Sequence, residues 1–151
     1  MIQKQKQSKR GTGGLTMREI LFRGKRIDNC EWVTGFYVHY DDTKDNHKDD
    51  CDYIVGIHTG EHFPFFEVIP ETVGQYTGLT DKNGKKIFEG DILTAHFVSN
   101  RYKQQFEVIF EKGIFFFDNK CVKVPVWDIY SLKVIGNIHD NPELLKGGDE
   151  E

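Results

Sequence analysis

Between Ile69 and Leu93 the chain reads Ile69-Pro70-Glu71-Thr72-Val73-Gly74-Gln75-Tyr76-Thr77-Gly78-Leu79, then Asp81-Lys82-Asn83-Gly84, then Lys85-Lys86-Ile87-Phe88-Glu89-Gly90-Asp91-Ile92-Leu93. Glycine recurs every four to six residues, so a regular helix of three turns has no room there. What remains is a set of short extended pieces joined by tight turns. Pro70 suits the first position of one helical turn, with Glu71 near its positive end and Gly74 stopping it early. Asp81-Lys82-Asn83-Gly84 has the length and composition of a hairpin loop between Gln75–Leu79 and Lys85–Phe88.

The rest of the chain follows the same grammar. From Arg18 to Tyr40 the side chains alternate, with Ile20 and Phe22 on one face, then Trp32, Phe36, Val38 and Tyr40 on one face beyond a turn at Asp28-Asn29. That pattern predicts a long antiparallel hairpin. Asp41 to Asp52 reads as a charged loop. Tyr53, Val55 and Ile57 begin another strand, and Phe63-Pro64-Phe65-Phe66 is extended with a proline suited to an edge or a bend. Asp91–Val98 and Gln105–Phe110 alternate cleanly, and Glu111-Lys112-Gly113 turns the chain into Ile114-Phe115-Phe116-Phe117. Apolar side chains on both faces of that last strand predict cover on both sides. Val126–Tyr130 and Leu132–Ile138 complete the strands, and Asn141-Pro142-Glu143-Leu144-Leu145 predicts a short terminal helix. Many short strands and no sustained helical period imply an all-β chain.

Residues 1–16 are polar and carry Lys4, Lys6, Lys9 and Arg10 without an acid. They have little to bury and are expected to be a disordered basic arm, with Met17 a candidate natural start and Gly147–Glu151 a frayed acidic tail. Beyond the arm, sixteen basic residues face twenty-four acidic ones, a net charge of −8. An acidic body argues against a broad phosphate-binding surface. Cys30, Cys51 and Cys121 are far apart and odd in number, which fits a reducing cytoplasm better than a disulfide scaffold. No apolar run reaches the roughly 18 residues of a membrane helix, and no secretory signal is read at the N-terminus.

Each constellation with chemical promise has a plainer reading. His58-Thr59-Gly60-Glu61-His62 matches a zinc-protease pattern, but that chemistry needs both histidines on one helical face, and here the motif lies between extended segments. Asp41, Asp42, Asp45, Asp49, Asp50 and Asp52 with His47 could offer oxygen ligands, but Lys44 and Lys48 interrupt them and the calcium-loop spacing is missing. Glu89, Asp91 and Asp128 are not placed as a catalytic pair, and Asp91 is expected to bond turn backbone. The cysteines lack a context that would activate a thiol. Twelve Phe, six Tyr and two Trp could stack bases on a barrel, with Lys85, Lys86, Arg101 and Lys103 near Tyr102 meeting phosphates. A Phe-rich core and a subunit interface use the same aromatics without needing a basic body. No catalytic, cofactor-binding or metal residue is therefore assigned.

Three stretches resemble the YopX family of bacteriophage and prophage proteins. They are Arg18–Arg26, Val68-Ile69-Pro70-Glu71-Thr72-Val73-Gly74-Gln75-Tyr76-Thr77-Gly78-Leu79 with Asp81–Ile92, and Val134-Ile135-Gly136-Asn137-Ile138-His139-Asp140-Asn141-Pro142-Glu143-Leu144-Leu145. The resemblance runs from Met17 to Lys146. It implies phage or prophage origin and self-assembly, and no catalytic residues. The expected fold is a single all-β domain over 17–146: an N-terminal hairpin and ribbon (17–74), then a small, strongly bent SH3-like barrel (75–146), with short helical turns only. The expected function is a non-enzymatic phage accessory protein in the cytoplasm. It acts by contact with a host or phage protein, or as a homo-oligomer, with a nucleic-acid-binding β-barrel as the alternative. No cofactor and no membrane partner are expected.

Overall fold

A computed structural model describes residues 18–40, 51–57, 63–96, 103–126 and 130–145. The strands are β1 (Phe22–Lys25), β2 (Trp32–Tyr40), β3 (Cys51–Gly56), β4 (Phe65–Glu67), β5 (Gly74–Thr80), β6 (Lys86–Phe88), β7 (Asp91–His96), β8 (Lys103–Glu111), β9 (Ile114–Asp118), β10 (Lys123–Pro125) and β11 (Tyr130–Asn137). They form two antiparallel sheets, ordered β4-β3-β2-β1-β5-β6 and β10-β9-β8-β7-β11. Among the described residues the helical content is confined to 3-10 turns such as Pro70–Thr72 and Pro142–Leu145. The hairpins predicted over Arg18–Tyr40, Gln75–Phe88 and Gln105–Phe117 are present as the pairs β1–β2, β5–β6 and β8–β9.

The second sheet holds the larger core. Alternation on β7, β8, β9 and β11 puts Leu93, Ala95, Phe106, Val108, Phe115, Phe117, Leu132 and Val134 on one face. Ile87 from β6 closes over them. Pairing of β7 with β11 shifts register twice, and such bulges bend a sheet. The described strands do not close into a hydrogen-bonded barrel, because β5 and β6 join the first sheet and β10 and β11 are the edges of the second.

Several local readings change. The terminal helix is a single 3-10 turn, packed so closely over β11 that a Cβ on Gly136 would lie 2.8 Å from Leu144. Of the strand expected over Val126–Tyr130, residues 127–129 lie outside the described ones and Tyr130 opens β11. A strand stands just ahead of it, at Lys123–Pro125, because the Asn119 side chain accepts from the amides of Cys121 and Val122 and turns the chain back at once. As an edge strand it tolerates Pro125. On β9, Phe115 and Phe117 are buried but Ile114 is exposed, and Phe116 is half-covered with the Lys123 ammonium 5.8 Å from its ring centre. A lysine stem thus replaces the second apolar layer. Cys51 and Asp52 belong to β3 rather than to the charged loop.

Two polar contacts seat the first sheet on the second. The buried Arg23 guanidinium on β1 donates to Asp91 Oδ1 at 2.6 Å and to the Glu89 carbonyl at 3.1 Å. The other Asp91 oxygen accepts the Phe88 amide at 2.8 Å, so Asp91 bonds turn backbone as expected and pairs with a distant arginine besides. Arg23 also lies over the rings of Trp32 and Phe88, at 4.8 and 5.1 Å. Burial pushes the Asp91 carboxyl up, against the pull of Arg23 and that amide. At the other end, Asp81 accepts the amides of Asn83, Lys85 and Val134, tying the β5–β6 turn to β11. Burial opposes ionisation of Asp81, yet those amides hold its carboxyl below the usual range.

Removing one partner of a buried ion pair strands the other charge. Asp91→Asn is therefore expected to lower unfolding stability by about 3–5 kcal/mol. The double variant Arg23→Met with Asp91→Leu is expected to lose less than Asp91→Asn alone. Urea titration followed by tryptophan fluorescence reads both, and equal losses would show that the charge pair is not the seat.

Candidate functional site

The first sheet has one face that is covered at one end and bare at the other. Register puts Arg23, Lys25, Trp32, Thr34, Phe36, Val38 and Tyr40 on that face, with Tyr53 and Val55 of β3 and Phe65 and Glu67 of β4. At the β1 end it is occupied by Asp91, His139 and Asp140. Trp32 Nε1 and Lys25 Nζ both donate to Asp140, at 2.7 and 2.6 Å. Bonds from Asn137, Lys25 and Trp32 hold the Asp140 carboxyl well below the usual range.

Beyond Thr34 nothing among the described residues covers the face. Phe36, Val55 and Phe65 form one cross-strand row, and Val38, Tyr53 and Glu67 the next. Phe36 is 53% exposed, Tyr40 56% and Phe65 65%. Val38 is exposed as well, and so is Ile57 just past β3. A contiguous apolar area with a single charge in its two rows marks a contact surface more often than a scattered apolar residue does.

The opposite face of the same strands is covered only in part, since Tyr37 is 37% exposed and His39 is exposed as well. There Ile54 and Val68 are fully buried, and the end of β1 folds back to bond the chain after β4, through Ile27 N–H to the Glu67 carbonyl and Ile69 N–H to the Lys25 carbonyl. Asp52 is buried on this face and accepts from Tyr37 Oη and His39 Nδ1. Burial opposes its ionisation, but these two donors keep its carboxyl below the usual range. Burial and the same carboxylate push the Tyr37 phenol up to about 12.

The sequence candidates for chemistry scatter. His58, His62, the aspartates at 41–50, His47, Arg101, Tyr102 and Asp128 lie outside the described residues. Asp52 is a strand residue bonded to its neighbours rather than part of an open carboxylate cluster. Cys30, Cys51 and Cys121 are free thiols. Lys86 is paired with Glu19, with its ammonium 4.5 Å from the Tyr76 ring centre, while Lys85 is exposed. Among the described residues no group of three His, Cys, Asp or Glu could hold a metal ion, and no helix is long and apolar enough to cross a membrane. The sequence reading found the apolar stripe of β2 but missed its bare end, and it missed the Arg23–Asp91 pair, whose partners are 68 residues apart.

Alkaline titration followed by absorbance should show a late step near pH 12 from Tyr37. Asp52→Asn should bring that late step back toward the ordinary tyrosine range near 10. An unchanged late step in Asp52→Asn would exclude the contact as its cause.

The model of the YopX protein family matches residues 21–146. The crystal structure of protein EF1440 from Enterococcus faecalis is similar at 26% identity and a TM-score of 0.52, over 85% of this chain and 99% of that one. No curated protein matches. The family match takes in every strand of both sheets and the terminal 3-10 turn, and so the chain belongs to the YopX family.

Proposed function

We propose that this protein is a non-enzymatic phage or prophage accessory protein that works by protein–protein contact, and that the bare end of the first sheet is where copies of it assemble. The observation that carries this reading is the exposed aromatic face of β2, β3 and β4, continuous with a covered face that already binds a sheet of the same chain.

Area supports a contact of this kind. Each half-exposed aromatic offers on the order of 100 Å² of apolar surface. With Val38 and the half-buried Tyr53 and Val55, one copy presents roughly 500 Å². Two copies would bury on the order of 1,000 Å², the lower bound for a specific interface. The cytoplasm suits the three free thiols. Nucleic-acid binding draws less support, since the body is acidic and Lys86 is engaged by Glu19.

Light scattering on the full chain at micromolar concentration should give a mass that is a multiple of 17.6 kDa. Replacing Phe36 and Phe65 by glutamate should yield a monomer with an unchanged β circular-dichroism spectrum. A monomeric wild type that captures no host or phage protein would overturn the reading. Assembly of the double variant as in the wild type would move the contact elsewhere.

A further inference from the structure

β4 is an outer strand of the first sheet, and the phase of its backbone decides what that edge offers. Gly56 N–H donates to the Pro64 carbonyl and Val68 N–H to the Asp52 carbonyl, at 2.8 and 2.9 Å. Residues 64, 66 and 68 therefore turn their backbone groups toward β3, while 65 and 67 turn theirs outward. The Glu67 carbonyl already takes an outside N–H, from Ile27 at 3.1 Å beside the Arg26–Val68 bridge. The chain then leaves in a turn closed by Cys30 N–H to the Arg26 carbonyl, and among the described residues no strand lies beyond Phe65. Where it leaves, a slot of about 200 Å³ opens between Arg26–Asp28 and Phe65–Glu67.

The other sheet edges are guarded. Asn119 N–H bonds the Val122 carbonyl to close the turn into β10, and alternation from there points Pro125 outward, where a missing N–H stops a further strand. β11 is bonded from outside by Lys82 N–H to the Leu132 carbonyl and by Asp81 to the Val134 amide. On β6 the Phe88 amide is taken by Asp91. Pro64 gives β4 no such guard, because its missing N–H faces β3.

We propose that two copies pair edge to edge through β4, antiparallel across a two-fold axis at Phe65, so that their first sheets run on as one. The proposal rests on the reading that the bare end is an assembly surface, and it names the strand at which the copies meet. Phe65 exchanges N–H and C=O with Phe65 of the second copy. On the bare face the two Phe65 rings stand opposite one another, a favourable cross-strand pair. On the other face Phe66 stands opposite the second copy's Pro64, which falls at the slot. The two Glu67 carboxylates stay four positions apart along the joined strands, roughly 13 Å, so no like charges meet. Face contact between single copies reaches only the lower bound of a specific interface. Two joined pairs laid face to face bury about twice that area, which makes an assembly of four chains.

Disulfide trapping reads the pairing directly. In a chain carrying Cys30→Ser, Cys51→Ser and Cys121→Ser, Phe65→Cys should oxidise to a covalent two-chain species. The Cα atoms of a bonded antiparallel pair are about 5.5 Å apart, within disulfide reach. Lys133→Cys, exposed on β11, should not link. By light scattering Phe65→Leu, which keeps the outward N–H, should retain the wild-type mass. Phe65→Pro, which loses that N–H and leaves the β3 bonds untouched, should show half of it. Linkage at Val38→Cys without linkage at Phe65→Cys would overturn edge pairing and leave the face contact standing. Wild-type mass in Phe65→Pro would overturn it too. A monomeric wild type would end the pairing, and the wider reading would fall with it only if that monomer also captured no host or phage protein.

Discussion

Arg23 is the group on which the two-sheet arrangement turns. It sits on β1, at the middle of the first sheet, and reaches the first residue of β7, where the second sheet begins. A guanidinium buried there must find a carboxylate, because an isolated charge out of water is costly. Asp91 supplies it, the Glu89 carbonyl takes a second N–H, and the Trp32 and Phe88 rings flank the plane. The Nε of Arg23 is buried without a hydrogen-bond partner. The contact thus joins the sheets without satisfying every donor of the guanidinium.

Close approach at the joint depends on what is absent as well. A Cβ on Gly74 would lie 2.5 Å from the Glu89 carbonyl oxygen, so a side chain there would push β5 off the inter-sheet turn. With that approach made, Leu21, Tyr76 and Phe88 form a small apolar cluster beside the ion pair. The same face runs on to Phe36, Val38 and Tyr40, where the second sheet no longer reaches. One stripe thus serves two ends, and the physics of both is burial of aromatic area.

Much of the fold was legible because strand alternation and turn chemistry are local. The hairpin turn at Lys112-Gly113 takes positive φ at both residues, 52° and 83°, as a two-residue turn requires. Pro70 starts its 3-10 turn for the reason it would start any helical turn. Where reading failed, a non-local partner decided. The apolar run Ile114–Phe117 reads as buried on both faces, yet Lys123 lies over one of them. Asp52 reads as part of a solvated acidic run, yet Tyr37 and His39 across the ribbon claim it.

Taken alone, the amino-acid order determined that this chain is built of short antiparallel strands and where most of its turns fall. These follow from φ preferences and from the two-residue period of a pleated strand, which act within a few positions. Only the tertiary structure decided that β5 pairs with β1 at the far side of the first sheet from β4, that Arg23 meets Asp91, and that the stripe on β2 is covered at Trp32 and bare at Tyr40. Those outcomes depend on which of many compatible surfaces bury the most area without stranding a charge. That is a comparison between whole arrangements, and no local pattern encodes it.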